Sequence, residues 1–248
     1  MRTNKYLLSI PAYNEDRFVV AMVRAARTFM DDILVVDDGS ADRTPALLAE
    51  LPDIRVIRHE RNLGYGRSLR DAFECAAESG YDWLITMDCD EQHEPSDIPR
   101  FIAEAERDRA DIVSGSRYLL PPEDIEVAPP DRRRLNAWMT RMVNQRLGLT
   151  ITDAFCGFKA YRVDGLRRLA ITEPGYAMPL QLWVQAVRAG LRVVELPIRL
   201  IYKDPMRRFG GGLDDPEYRY RHYLDVFHRA MAAGAAACAG AAPVCEPC

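Results

Sequence analysis

Short apolar runs alternate along the first half of the chain with stretches in which apolar residues recur at helical spacing. The runs at residues 6–10, 33–36, 54–57, 83–87 and 112–115 predict strands buried on both faces. The stretches 18–29, 45–51, 68–77 and 96–107 predict amphipathic helices. Strand and helix in alternation predict right-handed βαβ units, and therefore an α/β fold with a mostly parallel central sheet flanked by helices.

The pattern changes after Tyr118. Residues 120–134 contain four prolines and several acids, which predict a loop. Helices are predicted at 135–147, 180–189 and 215–231, and strands at 158–161 and 191–200. We expect one domain over residues 1–231, with a first half to residue 118 and a second half from residue 119. Residues 232–248, rich in Ala, Gly, Cys and Pro, predict a poorly ordered tail.

Composition narrows the class of protein. Of 248 residues, 48% are hydrophobic and 28% charged, with a net charge of −4, so a nucleic-acid partner is not expected. Neither a secretion signal nor an apolar run of the roughly 20 residues that a membrane span needs is visible. The six cysteines are then expected to be reduced thiols. We expect a cytoplasmic protein.

Acidic residues follow three of the predicted strands. The first strand leads into Glu15, the second into Asp37 and Asp38, and the fourth into Asp88 and Asp90. Carboxyl ends of parallel strands share one edge, where α/β proteins bind ligands. Along an extended segment, residues 88, 90 and 92 would project to one side. Oxygen ligands of this kind favour Mg²⁺ or Mn²⁺, although the same aspartates could simply be turn or cap residues.

The residues that follow the second and third predicted strands have more than one interpretation. Asp37 or Asp38 could contact a base or a ribose hydroxyl, or could form a turn with Gly39. Gly64 could allow close backbone approach to a ligand, or serve a turn. The first strand is not followed by Gly-x-Gly-x-x-Gly, which argues against a dinucleotide-dependent dehydrogenase.

Several motifs in a fixed order resemble the family 2 inverting glycosyltransferases with the GT-A fold. They are Ile-Pro-Ala-Tyr-Asn-Glu at 10–15, Val-Asp-Asp-Gly-Ser at 36–40, Asn-Leu-Gly at 62–64 and Met-Asp-Cys-Asp at 87–90. Asp-Glu-Gln-His at 90–93, Gly-Ser-Arg-Tyr at 115–118 and the segment 153–161 resemble the dolichol-phosphate and polyprenyl-phosphate mannosyltransferase branch. The resemblance covers roughly residues 5–230.

This resemblance implies a set of site residues. Asp88, Asp90 and Gln92 would bind the metal, and Arg117 would meet a phosphate, which suits a guanidinium fork. Asp90, Asp153 and Arg117 would be the catalytic residues, with Asp153 a candidate base or acceptor-orienting residue whose alternative is a cap. The nucleotide-sugar site would comprise Pro11, Tyr13, Glu15, Asp37, Asp38, Gly64, Asp88, Cys89, Arg117, Arg132, Lys203 and Arg208, the last two on a basic loop before a glycine-rich hinge.

The activity implied is metal-dependent, inverting transfer of a hexose from a nucleotide-sugar, with GDP-mannose favoured, to polyprenyl or dolichyl phosphate. Three alternatives stay open: UDP-glucose or another donor with a soluble hydroxyl acceptor, a non-catalytic transferase-like binding protein, and a nucleotidyltransferase. A nucleotidyltransferase would have a glycine-rich basic loop after the first strand. This chain has Pro11 to Glu15 there, which argues against that alternative.

The chain departs from the branch in the acceptor half. Cys156 stands where Ser is usual, and Met178 and Pro179 stand where an acid is expected. A lipid acceptor would require peripheral contact with the inner face of a membrane. The helix with Tyr218, Tyr220, Arg221, Tyr223, Phe227 and Arg229 could make that contact, or could pack on the domain.

Overall fold

The computed structural model describes residues 3–120, 129–201 and 210–239. Its strands are β1 (Tyr6–Ala12), β2 (Ile33–Asp37), β3 (Arg55–Arg58), β4 (Trp83–Thr86), β5 (Ile112–Ser116), β6 (Lys159–Arg162) and β7 (Val193–Pro197). They form one 7-stranded sheet in the order β3-β2-β1-β4-β6-β5-β7. β6 is antiparallel to both of its neighbours, and the other pairings are parallel. The mostly parallel α/β sheet is confirmed.

Helices cover both faces of the sheet. They are α1 (Val19–Arg27), α2 (Thr44–Ala49), α3 (Tyr65–Glu78), α4 (Ile98–Ala105), α5 (Pro130–Leu147), α6 (Val163–Leu166), α7 (Met178–Arg188) and α8 (Pro216–Ala239). Short 3₁₀ turns at Pro95–Asp97 and Gly211–Asp214 precede α4 and α8. Among the described helices, none is both long enough and apolar enough to cross a bilayer.

The hydrophobic core has two layers because alternate strand residues face opposite sides of the sheet. Leu7 and Leu84 pack with α3, α5, α7 and α8, whereas Leu8 and Ile85 pack with α1 and α4. All four are fully buried. The continuous apolar runs in the sequence therefore reflect burial on both faces.

Two predicted boundaries in the second half are wrong. Residues 130–134 belong to α5, because Pro130 occupies the first turn, where the fixed φ of proline suits a helix and its missing N–H costs nothing. α8 continues through Ala239, past the predicted end at residue 231, because a run of alanines favours helix.

The strand order creates a crevice at the carboxyl ends of β1, β2 and β4. β1 lies between β2 and β4, and the chain leaves the sheet from Ala12, Asp37 and Thr86 on the same edge. This is the edge at which α/β folds bind ligands.

Candidate active site

The loop after β1 is fastened to the loop after β2. Asn14 has a positive φ of 56°, its backbone N–H donates to Ser40 Oγ at 2.9 Å, and its Oδ1 accepts from the N–H of Ala41 at 2.9 Å. The N–H of Glu15 donates to Thr44 Oγ1 at 2.8 Å. These bonds fix the shape of the loop that carries Pro11, Tyr13 and Glu15.

The predicted nucleoside contacts differ in their availability to a ligand. Tyr13 is 46% exposed and Pro11 is partly buried, whereas Glu15 is 7% exposed. Asp37 is fully buried, with Oδ1 accepting from the N–H of Ser40 at 2.9 Å. Its Oδ2 lies 3.3 Å from Arg58 Nε but has no hydrogen-bond partner among the described residues. Asp37 is therefore held by Ser40 and Arg58 inside the fold, which favours a structural role over the predicted nucleoside contact.

Asp38 is engaged by the protein itself. Its two oxygens accept from the N–H groups of Leu63 and Gly64, each at 2.8 Å, and Oδ1 also lies 2.6 Å from His59 Nδ1. The residue is only 4% exposed. This geometry favours a structural role for Asp38, holding the loop after β3, over the predicted contact with a nucleoside.

The loop held by Asp38 leads directly into α3. Gly64 has φ 103°, and a Cβ added there would lie 2.3 Å from the carbonyl oxygen of Pro174. The close approach expected of this glycine is therefore to protein backbone. The next residue, Tyr65, donates its hydroxyl proton to Asp88 Oδ1 at 3.0 Å. The Asp38 network and the exit of β4 are thus physically connected.

The chain does not continue extended after β4. Residues 89–93 form bends, Glu91 has φ 59°, and Asp90 Oδ1 accepts from the N–H of Gln92 at 3.2 Å. The expected alternation of Asp88, Asp90 and Gln92 along a strand is therefore wrong in its local geometry. All three side chains are nevertheless partly exposed at this edge, whereas Cys89 is 2% exposed and packs in the core.

A close contact with the opposite loop constrains Asp88. A Cβ added to Gly157 would lie 2.3 Å from Asp88 Oδ2, so only glycine leaves room for that carboxylate. The backbone N–H of Asp88 donates to His93 Nδ1 at 3.1 Å. Burial lowers the pKa of His93 to about 4, so its imidazole is neutral near pH 7 and braces Asp88 without adding charge.

The donor set at the exit of β4 fits a hard divalent cation. Asp88 and Asp90 supply carboxylate oxygens, which Mg²⁺ and Mn²⁺ prefer. Within residues 3–120, 129–201 and 210–239, no group of three or more His, Cys, Asp or Glu side chains could enclose a metal. Asp88 and Asp90 would supply two ligands, and substrate oxygens and water would have to complete the shell of a bound ion.

Arg117 and Asp153 form a buried ion pair beside this region. Arg117 Nε and Nη2 lie 2.6 Å and 2.9 Å from the two oxygens of Asp153, which also accepts from Asn136 Nδ2 at 2.9 Å. Burial by itself raises the pKa of Asp153, but Arg117 and Asn136 hold it well below its usual range. A fully buried carboxylate whose oxygens already accept hydrogen bonds is a poor base. The structure therefore favours an orienting role for Asp153 over the role of a general base.

The charges of these groups converge on His93. Asp90, Arg117, Lys159 and Asp153 all act on the pKa of its imidazole. Burial lowers the pKa of Lys159, and the negative charge of Asp88 acts against that lowering. Asp88 also lies against Gly157, in the loop that presents Asp153, so the carboxylate after β4 and the Arg117–Asp153 pair belong to one region.

Sequence reasoning gave no role to several residues of this region. Lys159 is 1% exposed, and its Nζ contacts the carbonyl oxygen of Cys156. Glu195 accepts from the N–H groups of Thr152 and Asp153, at 2.8 Å and 3.1 Å, and so anchors the loop that presents Asp153. The sequence did offer a signal for these two residues. Lys159 and Glu195 are each flanked by apolar residues, and a charged residue at a buried position usually has a specific partner.

The remaining predicted phosphate contacts are less constrained. Arg132 lies partly exposed in the first turn of α5. Burial raises the pKa of Tyr223, and the charges of Arg219 and Arg132 act against that rise. Arg132 therefore lies toward α8. Lys203 and Arg208 lie outside the described residues.

Comparison with known proteins identifies the class. Residues 8–170 match the model of Glycosyl transferase family 2. The chain is 34% identical over 210 residues to the undecaprenyl-phosphate mannosyltransferase of Micrococcus luteus, covering 81% of this chain and 85% of that protein. It is 34% identical to the polyprenol monophosphomannose synthase of Mycolicibacterium smegmatis, covering 79% and 77%.

Solved structures agree on the fold. Glucosyl-3-phosphoglycerate synthase from Mycobacterium tuberculosis, in complex with phosphoglyceric acid, superposes with a TM-score of 0.71 at 17% identity, covering 92% of this chain and 80% of that one. The same enzyme with Mn²⁺, UDP and glucosyl-3-phosphoglycerate gives 0.70 at 16% identity, with the same coverage. With the family model matched over most of its length, the chain belongs to glycosyltransferase family 2 and is a glycosyltransferase of the GT-A fold.

Proposed function

We propose that the chain transfers a hexose from a nucleotide-sugar to a polyprenyl phosphate, with inversion at the anomeric carbon. The observation that carries the proposal is the contact of Asp88 with Gly157, in the loop that presents Asp153. Asp153 in turn holds Arg117 in a buried ion pair. This gives one edge of the sheet a cation site beside a fixed guanidinium. Two relatives, each 34% identical, are named as a mannosyltransferase for undecaprenyl phosphate and a polyprenol monophosphomannose synthase.

For the donor, GDP-mannose is our first candidate. Tyr13 offers an exposed ring just after β1, which suits contact with a nucleoside. A UDP-linked sugar is the second candidate. A relative from Methanococcus voltae, 28% identical, is named as a UDP-N-acetylglucosamine–dolichyl-phosphate transferase.

Asp88 and Asp90, with Gln92 beside them, would hold a divalent cation. When bound, such an ion offsets the negative charge that develops on the departing nucleoside diphosphate. Tyr65 orients one oxygen of Asp88, and Gly157 leaves the space that the carboxylate occupies. Mn²⁺ accompanies UDP in a related GT-A structure, which makes it the first ion to test together with Mg²⁺.

Arg117 would contact a phosphate group of the donor or of the acceptor. Asp153 holds the guanidinium in a fixed orientation, so that positive charge is placed before the substrate arrives. A phosphate acceptor is already ionised near pH 7 and needs no general base. This agrees with the low proton affinity of Asp153.

A polyprenyl phosphate acceptor lies in a membrane, so the reaction takes place at the membrane surface. We propose that the protein contacts the cytoplasmic face of that membrane. The helix predicted to make that contact requires a correction. Tyr223 and Phe227 are 4% and 1% exposed and pack in the core, so neither can reach lipid. Tyr218 is 54% exposed, and Arg221 and Arg229 are exposed but ion-paired within α8.

A donor panel tests the proposal. Purified protein is incubated with a short-chain polyprenyl phosphate and GDP-mannose, UDP-glucose or UDP-N-acetylglucosamine, with Mn²⁺, with Mg²⁺ or with EDTA. We expect one sugar to be transferred, giving a glycosyl polyprenyl phosphate by mass spectrometry, and EDTA to abolish transfer. Asp90→Asn should lower kcat by at least about 100-fold. Transfer at the wild-type rate in EDTA would contradict the metal role, and no transfer from any donor would contradict the proposed function.

A further inference from the structure

The outer surface of α5 and α8 combines exposed aromatic and basic side chains. A groove of about 340 Å³ runs between the two helices and is lined by Trp138, Met142, Tyr220 and Leu224 together with arginines. The rings of Trp138 and Tyr220 are 4.8 Å apart, and Trp138 is 38% exposed. Adjacent exposed apolar side chains rimmed by polar residues are typical of an interaction surface.

Basic side chains outnumber acidic ones around this groove. Arg134, Arg141 and Arg146 are exposed on α5, and none of them has a carboxylate at ion-pair distance among the described residues. Two acids of α8 are neutralised by basic residues of the same helix, because Glu217 pairs with Arg221 and Asp225 pairs with Arg229. The α5–α8 face is therefore basic, although the whole chain has a net charge of −4.

We infer that the α5–α8 face docks on the surface of an anionic lipid bilayer. Tryptophan and tyrosine favour the level of the lipid headgroups, and exposed arginines are attracted to anionic lipids. The apolar floor formed by Met142 and Leu224 suits shallow contact with acyl chains. The inference deepens the proposed function, because a polyprenyl phosphate acceptor is held in a bilayer.

The same helix connects the docking face to the candidate site. Asn136, on the buried side of α5, donates to Asp153, which holds Arg117. Trp138 and Arg134 lie two residues away along the helix, on its exposed side. Docking through this helix would therefore place the Arg117–Asp153 pair close to the bilayer that contains the acceptor.

Vesicle binding tests the inference without any nucleotide-sugar. The full chain is sedimented with phosphatidylcholine vesicles, with and without phosphatidylglycerol, and we expect binding only to the anionic vesicles. The triple variant Arg134→Gln/Arg141→Gln/Arg146→Gln should lose about fivefold in affinity per arginine. The matched control Arg24→Gln/Arg55→Gln/Arg168→Gln removes the same charge from exposed sites elsewhere and should bind like the wild type.

Tryptophan fluorescence gives a second readout. Of the three tryptophans, Trp83 and Trp183 are fully buried, so an emission change on binding reports Trp138. We expect a blue shift with anionic vesicles that is absent from Trp138→Phe. Equal loss of binding in both triple variants, or binding without a Trp138 shift, would overturn the docking face.

The activity readout separates this inference from the proposed function. With a short, water-soluble polyprenyl phosphate, the Arg134/Arg141/Arg146 variant should turn over like the wild type, and it should be slow only on vesicle-embedded acceptor. Equal slowing on both acceptors would overturn the docking role. Absence of transfer by the wild type would overturn the proposed function, whereas vesicle binding would still decide the docking face.

Discussion

The hydroxyl of Tyr65 lies 3.0 Å from Asp88 Oδ1, so the first residue of α3 orients the carboxylate that follows β4. Tyr65 itself follows Gly64, whose N–H is held by Asp38. This chain of contacts runs from the loop after β2 to the proposed cation site. The contacts therefore fix the loop after β3 relative to the proposed cation site.

Removing this hydroxyl should weaken metal binding. We expect Tyr65→Phe to raise the Mn²⁺ concentration for half-maximal activity by about tenfold, because supporting hydrogen bonds orient the ligands of a metal. The measurement is a Mn²⁺ titration of transfer at saturating donor. Tyr218→Phe, at an exposed residue of α8, is the control and should leave the titration unchanged. An unchanged titration for Tyr65→Phe would exclude an orienting role.

Adding a methyl group at Gly157 should displace Asp88. A Cβ there would lie 2.3 Å from Asp88 Oδ2, so the carboxylate must move, and misplacement of about 1 Å can cost on the order of 100-fold in rate. We expect Gly157→Ala to lower kcat by about that factor. Gly165→Ala is the matched control, because its Cβ would approach no atom more closely than the flexible end of Leu191, at 3.3 Å. Wild-type kcat for Gly157→Ala would contradict this geometry.

Breaking the Arg117–Asp153 pair should cost stability as well as activity. Arg117→Met leaves a buried carboxylate without its cation, and we expect the free energy of unfolding to fall by about 3–5 kcal/mol. Arg117→Met/Asp153→Leu should recover much of this loss, because no buried charge remains. Urea denaturation of the two variants measures the difference. A double variant no more stable than Arg117→Met would show that the charge is not the cause.

The Arg117–Asp153 pair should also make the free energy of unfolding depend on pH in the acid range. Arg117 holds the folded-state pKa of Asp153 well below its value of about 3.9 in an unfolded chain. The stabilisation is therefore fully present above about pH 5 and is lost as pH falls toward the folded-state pKa. Denaturation midpoints measured between about pH 3 and pH 7 should fall less steeply for Asp153→Asn than for the wild type. Parallel curves would contradict the assignment.

His59 should matter for the nucleotide end of the crevice. Its ring nitrogens lie 2.6 Å from Asp38 and 2.7 Å from Asp71, so His59→Leu leaves two buried carboxylates without that partner. We expect a loss of about 3 kcal/mol in unfolding free energy and weaker nucleotide binding, since Asp38 also holds the loop at Gly64. Denaturation and calorimetric titration with GDP and UDP measure the two effects. His228→Leu, at an exposed histidine, should change neither.

Strand periodicity was readable from the sequence because parallel strands buried on both faces are continuously apolar. The runs near β1, β2 and β4 predicted their strands to within a few residues, and the acids at their ends predicted a common edge. Helix ends were less readable. Proline at residue 130 indicates a loop and a helix start equally well, and tertiary context decides between them.

The roles of individual side chains were harder to predict from the sequence than the positions of the strands. Asp38 resembles a ligand contact in sequence, but the backbone N–H groups of Leu63 and Gly64 occupy its oxygens. Asp153 resembles a base, but Arg117 and Asn136 occupy its oxygens. Both outcomes depend on partners at least 17 residues away in the chain, which no local pattern encodes.

Apolar periodicity and short ordered motifs are local properties, so the sheet, its acidic edge and the family could be predicted from the sequence. Which carboxylates remain available to a substrate depends on the tertiary structure. It placed Tyr65 and Gly157 against Asp88, gave Asp153 to Arg117, and turned Tyr223 inward while leaving Trp138 outside. The physical reason is that burial and pairing fix the charge and accessibility of a group, and both arise from contacts between distant parts of the chain.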